Sequence, residues 1–332
     1  MGLRECVAVN ESLVRLRQRP DDLLALTAAT ADALAIPAEF VEKDFWVVEL
    51  LRSLFQPLAV SAEVTVLFKG GTSLSKGFGL TQRFSEDVDI LVVPAEGIGS
   101  GRIDRELKAI ISRAGADLGL DEPQVKVGPS TTGVKRNARF FYSASYPATR
   151  ATEGVYLEMG TRGGTLPGLQ VRPVTSYISQ FLLSSGQAGT FEEEQPVQAV
   201  LLDPIRTLFE KLSALHSAAI AAEAGDSSSM ARAGRHYYDV HALLVSEGLI
   251  ERLSEVSIVD IMADIAEVST HNGWAFHLRP EAGFASSPAF ASLGRAVDQG
   301  RASYQAALGL IYSEPPTFES CLATIQRASA HL

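Results

Sequence analysis

The sequence predicts an α+β chain in which a mixed sheet with flanking helices precedes a C-terminal helical domain. Apolar segments of strand length cluster between residues 64 and 160, and a single long helical pattern interrupts them. That order suits a mixed sheet better than a doubly wound parallel one. From Pro204 onward the apolar residues recur at helical spacing instead. With 332 residues, 46% of them hydrophobic, the chain can bury two cores. The acidic, proline-containing FEEEQPVQ (191–198) is the expected boundary, giving a first domain over 1–195 and a helical one over 196–332.

Pro20-Asp21 opens a helix over DDLLALTAATADALAI, and Pro37 sits at the first turn of AEFVEKDFWVVELLRSLF. VTVLF (64–68) and DVDILVV (87–93) read as strands, and IDRELKAIISRAGADLG (103–119) as a helix. PQVKVG, ARFFYSASYP and GVYLEMG are three further strand candidates. PIRTLFEKLSALHSAAIAAEA, RHYYDVHALLVSEGL and SIVDIMADIAEVS read as helices, and GDSSSMARAG as the loop between the first two.

Composition narrows the function. A net charge of -10 argues against broad, nonspecific DNA binding but leaves room for a local basic patch. Cys6 and Cys321 alone suggest no disulfide framework and fit a reducing cytoplasm. No apolar run reaches the roughly 18 residues of a membrane span, and the N-terminus lacks the order of a secretory signal, so no membrane partner is expected.

The chemistry concentrates in FKGGTSLSKGFGLTQRFSEDVDILV (68–92). Strand alternation puts Asp87 and Asp89 on one face and Val88, Ile90 and Val92 on the other. Two carboxylates at that spacing suit a hard divalent cation, or else form a solvated edge with Ser85 and Glu86 in the turn. Gly70 and Gly71, after a strand, let backbone amides approach a phosphate, with Thr72 and Ser73 adding hydroxyls and Lys76 and Arg83 adding charge. In GVYLEMG, alternation leaves Tyr156 and Glu158 opposite an apolar face, so Glu158 is either a third metal carboxylate or a solvent-facing residue. Lys211 flanks the buried stripe of its helix and Glu210 points away from it, so Lys211 is a site residue or a snorkelling surface lysine. Asp239 borders an apolar arc and has Arg235 four residues back as a ready partner. His271 and His277 read as structural. Lys126, Lys135, Arg136 and Arg139 form either a solvated face or a contact for a phosphate backbone.

VEKDFWVVELL (41–51), FKGGTSLSKGF with RFSEDVDI, YLEMGTR (156–162), RTLFEKLSALH (206–216) and RHYYDVHALL (235–244) together resemble the AbiEii/AbiGii nucleotidyltransferase toxin family, which includes MenA-type toxins of mycobacteria. The resemblance implies a DNA polymerase β-like nucleotidyltransferase core and a cognate antitoxin. Some members add nucleotides to the 3′ acceptor end of tRNA. By position, Gly71 and Ser73 match the glycine–serine motif, although Thr72 intervenes, while Asp87 and Asp89 match the metal-binding acids. Lys211 and Asp239 match two essential-type positions, and Glu158 a third acid that varies among members.

The expected reaction moves a nucleotide from an NTP to an RNA acceptor, with tRNA first in line. Gly70, Gly71 and Ser73 hold phosphates, helped by Lys211 and Arg83, and Asp87, Asp89 and Glu158 hold Mg²⁺, or Mn²⁺ in its place. Asp239 orients the acceptor hydroxyl or the lysine. Transfer of a nucleotidyl or phosphoryl group to a protein, such as the antitoxin, is the alternative. A catalytically idle nucleotide-binding module is the third reading.

Overall fold

A computed structural model describes residues 13–56, 63–85, 87–273 and 275–332. Cys6, and Glu86 in the turn before the acidic strand, lie outside the described residues. Helices α1 (Pro20–Leu34) and α2 (Ala38–Phe55) come first, then strand β1 (Val64–Lys69), helix α3 (Gly70–Lys76) and strand β2 (Asp87–Pro94). Helix α4 (Ser100–Asp117) leads to β3 (Val125–Val127), β4 (Lys135–Phe140), β5 (Val155–Gly160) and β6 (Leu169–Val174). Helix α5 (Tyr177–Ser184) and strand β7 (Val197–Leu202) complete this half. The rest is helical: α6 (Pro204–Glu223), α7 (Gly234–Leu244), α8 (Leu249–Leu253), α9 (Ile258–Asn272), α10 (Arg295–Ala307) and α11 (Phe318–Arg327).

The seven strands form one mixed sheet in the order β3-β4-β5-β2-β1-β7-β6. The β2–β5 and β1–β7 pairs are parallel and the others antiparallel. Three expectations are corrected. ARFFYSASYP is a strand only to Phe140, and pairing starts earlier, at Lys135. The sheet gains β6 and β7, so it runs past the boundary expected at 195. FEEEQPVQ, the acidic stretch expected to mark the boundary, is instead tied into the sheet half. Glu193 is buried and accepts the Leu16 N–H at 2.8 Å, while Arg52 donates to its carbonyl at 3.0 Å.

Val88, Ile90 and Val92 enter a core formed under α2 and α4, as strand alternation requires. The helical half has its own core, built on Leu208, Phe209, Leu212 and Leu215 of α6, and Leu74 of α3 reaches into it. Helix α6 starts where Asp203 accepts the Ile205 N–H at 2.9 Å and Pro204 occupies the first turn. The segment between α3 and β2 is laced to the helical half. Gln82 N–H donates to the Tyr238 hydroxyl at 2.9 Å, Phe84 N–H to the Leu310 carbonyl at 2.7 Å, and Tyr312 N–H to the Gln82 carbonyl at 3.1 Å.

No single helix among the described residues is long and apolar enough to cross a membrane. Helices α1 and α2 have the composition as a pair, but they meet at 116° and α2 is largely buried.

Candidate active site

Strand register assembles the site. Antiparallel pairing sets Lys69 opposite Asp89, and parallel pairing sets Asp89 opposite Glu158 and Asp87 opposite Tyr156. Beyond Tyr156 lie Arg139 and then Lys126. All seven side chains leave the same face of the sheet, opposite the core. A cavity of about 510 Å³ opens there, bounded by Lys69, Asp89, Lys135, Glu158, Arg162 and Asn272. Burial and the neighbouring Asp87 and Glu158 carboxylates push Asp89 up to about 6, against the pull of Lys69 and Lys211.

The glycine pair serves this face in an unexpected way. It is not a loop, because β1 runs straight into α3 with Lys69 as the cap residue. Gly70 has φ +78°, and a Cβ there would overlap the Asp89 carboxylate. A Cβ on Gly71 would overlap the Arg83 guanidinium. Each glycine therefore makes room for one charged side chain. Ser73 is buried and donates its hydroxyl to the Gly70 carbonyl at 2.9 Å, and the Thr72 hydroxyl is spent on Ser85 and the Asp87 carbonyl.

Behind the glycines lies a buried ionic network. Arg83 grips Asp239 with two bonds, Nε to Oδ1 at 2.6 Å and Nη2 to Oδ2 at 2.9 Å. Lys211 Nζ adds a third contact to Oδ2 at 2.7 Å and lies 3.3 Å from His236 Nδ1. Asp239 is fully buried, and its partner is not Arg235. Although burial opposes it, Arg83 and Lys211 hold the Asp239 carboxyl well below the usual carboxylate range. Burial, reinforced by Lys211, keeps His236 well below its ordinary value and hence neutral at pH 7. Arg83 thus enters the site as a buried partner of Asp239, not as an exposed phosphate ligand. Both Asp239 carboxylate oxygens are engaged by Arg83 and Lys211. Lys76 is likewise buried, paired with Asp44 and 3.7 Å from the Tyr177 ring centre.

The basic stretch divides between the two faces of the sheet. Arg136 turns to the core side and bonds Asp104 at 2.8 Å. Lys126 lies over Phe141 and Arg139 over Tyr156. Lys135 pairs with Glu158 at 2.7 Å, both roughly two-fifths exposed. Lys135 is thus the charge partner of Glu158 at its place beside Asp89, and among the described residues no three His, Cys, Asp or Glu side chains converge on one metal position. The two aspartates still fit Mg²⁺, which takes oxygen donors and commonly uses one or two carboxylates plus substrate phosphates. Asp89 is raised first by burial and then by the neighbouring carboxylates Asp87 and Glu158. His277 stacks edge-on against His216, and the His271 carbonyl accepts from Arg162, consistent with structural roles.

Sequence reasoning missed Lys69, Arg162, Glu210 and His236. Glu210 does leave the buried stripe, but toward a second cavity at the cleft, where it accepts from Arg206 at 2.8 Å. Against burial, Lys69 and Arg206 pull its carboxyl below the ordinary value. The spacing from Arg206 to Glu210, one helical turn, was the one available signal.

A mixed sheet carrying acids on its open face, clamped to a helical half by a buried Arg–Asp–Lys network, defines an α+β protein with one cleft between its two cores. The sequence profile of the AbiEii nucleotidyl transferase toxins, which belong to type IV toxin–antitoxin systems, matches residues 52–324, and the chain belongs to that family. It is accordingly a nucleotidyltransferase toxin, with an NTP substrate and a cognate antitoxin implied. Among solved structures, the nucleotidyltransferase toxin MenT4 of Mycobacterium tuberculosis H37Rv is similar at TM-score 0.46 and 15% identity, over 92% of this chain and 98% of that one. No match is found among curated proteins.

Proposed function

We propose that this toxin transfers a nucleotide from an NTP to the 3′ end of an RNA, with tRNA as the acceptor, and so blocks translation. One observation carries the reading. Register brings Lys69, Asp89 and Glu158 side by side on the open sheet face, with Asp87 two residues away. Asp87 and Asp89 are the residues to hold Mg²⁺ or Mn²⁺, which when bound neutralises the triphosphate and lowers the pKa of the attacking hydroxyl. Lys69 stands at the acids' edge, where it stabilises charge building on the departing pyrophosphate. Asp239 and His236 hold Lys211 at a fixed point behind Asp89, so the lysine is positioned before substrate arrives. Gly70 and Gly71 act by keeping Asp89 and Arg83 in place.

The test incubates the protein with labelled nucleotides, Mg²⁺ and total tRNA, followed by sequencing of RNA 3′ ends. Label on tRNA that disappears in Asp87→Ala supports the proposal. Equal labelling by Asp87→Ala sinks the metal assignment, and label confined to a protein band means that the acceptor is a protein.

A further inference from the structure

Beside the acidic cleft lies a second cavity, of about 220 Å³, which shares the Lys69 and Arg162 walls with it. Its sides are one face of α6 and one face of α9. Positions 206, 210, 213 and 217 recur on the first helix, and 265, 268 and 269 on the second, at the three-to-four-residue spacing of neighbours on a helix. The wall shared with the acidic cleft is charged, with Lys69 and Arg162, and Arg206 and Glu210 continue the charged lining along α6. The interior is mainly apolar, with Ile265, Val268 and Phe276 among its walls. Ser213 is set into that wall, 4% exposed, and its buried hydroxyl has no hydrogen-bond partner. The neighbouring Ser217 hydroxyl, by contrast, accepts the His277 N–H at 3.0 Å. A buried hydroxyl left unpaired is costly unless something arrives to bond it.

From these features we infer that the pocket receives the heterocyclic base of the nucleotide, and that Ser213 reads the base's polar edge. The inference rests on the nucleotide-transfer reading of the acidic cleft. Apolar walls that include Phe276 suit the face of an aromatic ring, and the unpaired Ser213 hydroxyl suits its edge. The charged wall that the pocket shares with the acidic cleft, Lys69 and Arg162, suits the junction to sugar and phosphates. The cavity is smaller than the roughly 300–1,000 Å³ of sites that enclose a whole drug-sized ligand. It therefore takes one ring system, and the phosphates remain over Asp87 and Asp89. A site that must bond a polar edge discriminates against rings lacking it more sharply than an apolar slot does.

The experiment measures equilibrium binding of ATP, CTP, GTP and UTP, each with Mg²⁺, to the full-length protein. Tripolyphosphate serves as a probe with phosphates but no base. Wild type is expected to favour one or two bases about tenfold, and Ser213→Ala to flatten that preference. Ala214→Phe, which fills the same wall, is expected to weaken all four nucleotides at least about tenfold and leave tripolyphosphate unaffected. Ala214→Val gives a smaller loss in the same direction should the larger ring prevent folding. Unchanged nucleotide binding in these variants, or equal binding of all four bases by wild type, overturns the base-reading pocket while tripolyphosphate binding preserves the phosphate site. Failure of wild type to bind either nucleotide or tripolyphosphate overturns the underlying reading instead.

Discussion

The open sheet face and the buried network behind it handle charge in opposite ways. On the face, Asp87, Asp89 and Glu158 crowd together, and Asp89 is left with burial and repulsion that raise it to about 6. In the network, Asp239 is saturated by Arg83 and Lys211 and sits far below the ordinary range. An unbalanced charge is kept where a ligand is to balance it. A balanced one, removed from water, is costly to assemble and fixes geometry. The face thus keeps charge that a ligand could still engage, whereas the network's charge is engaged within the fold.

Breaking the network is expected to give the largest effect. Asp239→Asn leaves Arg83 and Lys211 buried without their counter-charge, which should cost about 3–5 kcal/mol in denaturant unfolding at pH 7. The sign with pH follows from the lowered carboxyl. Its contribution is complete above the unfolded carboxylate's pKa, about 3.9, and is lost as pH falls below that value. The stability gap between wild type and Asp239→Asn should therefore narrow in acid below about pH 4.

Breaking the face is expected to do the reverse. Asp89→Asn removes one of the crowded carboxylates, so nucleotide transfer should fall at least about 10²-fold. Its thermal midpoint should not drop below that of wild type. A large loss of stability in this variant would show that the acids hold the fold rather than a ligand.

Gly71→Ala sharpens the comparison because it touches the network from the face. The new methyl meets the Arg83 guanidinium, and a stability loss of about 1–3 kcal/mol is expected. In Gly70→Ala the methyl meets Asp89, and its φ of +78° adds backbone strain, so activity should suffer more than in Gly71→Ala. Lys135→Ala, which only frees the half-exposed Glu158, should change stability by less than about 1 kcal/mol.

Much of this was legible in the residues, and the reason is locality. The alternation of DVDILVV and GVYLEMG put the right side chains on the right faces, and the stripe of α6 marked its buried side, because both periods are written within a few residues. What stayed hidden depends on register and distance. Lys69 became a site residue only when β1 paired with β2. Strand β6 holds Pro173 and lies at the sheet's edge, where a missing N–H is tolerated, so its sequence gave a weak strand signal. Glycines normally announce a turn or a phosphate loop. Here they accommodate Asp89 and Arg83, partners that no local pattern could indicate.

The contact between Arg83 and Asp239 spans 156 residues of chain. A ribosome adding about 5–20 residues each second needs roughly 8–30 s to travel that distance. During that interval the residues of the acidic strand emerge, while the aspartate that anchors Arg83 and Lys211 does not yet exist. A chain that ends before residue 239 therefore lacks the carboxylate that pairs with Arg83 and Lys211.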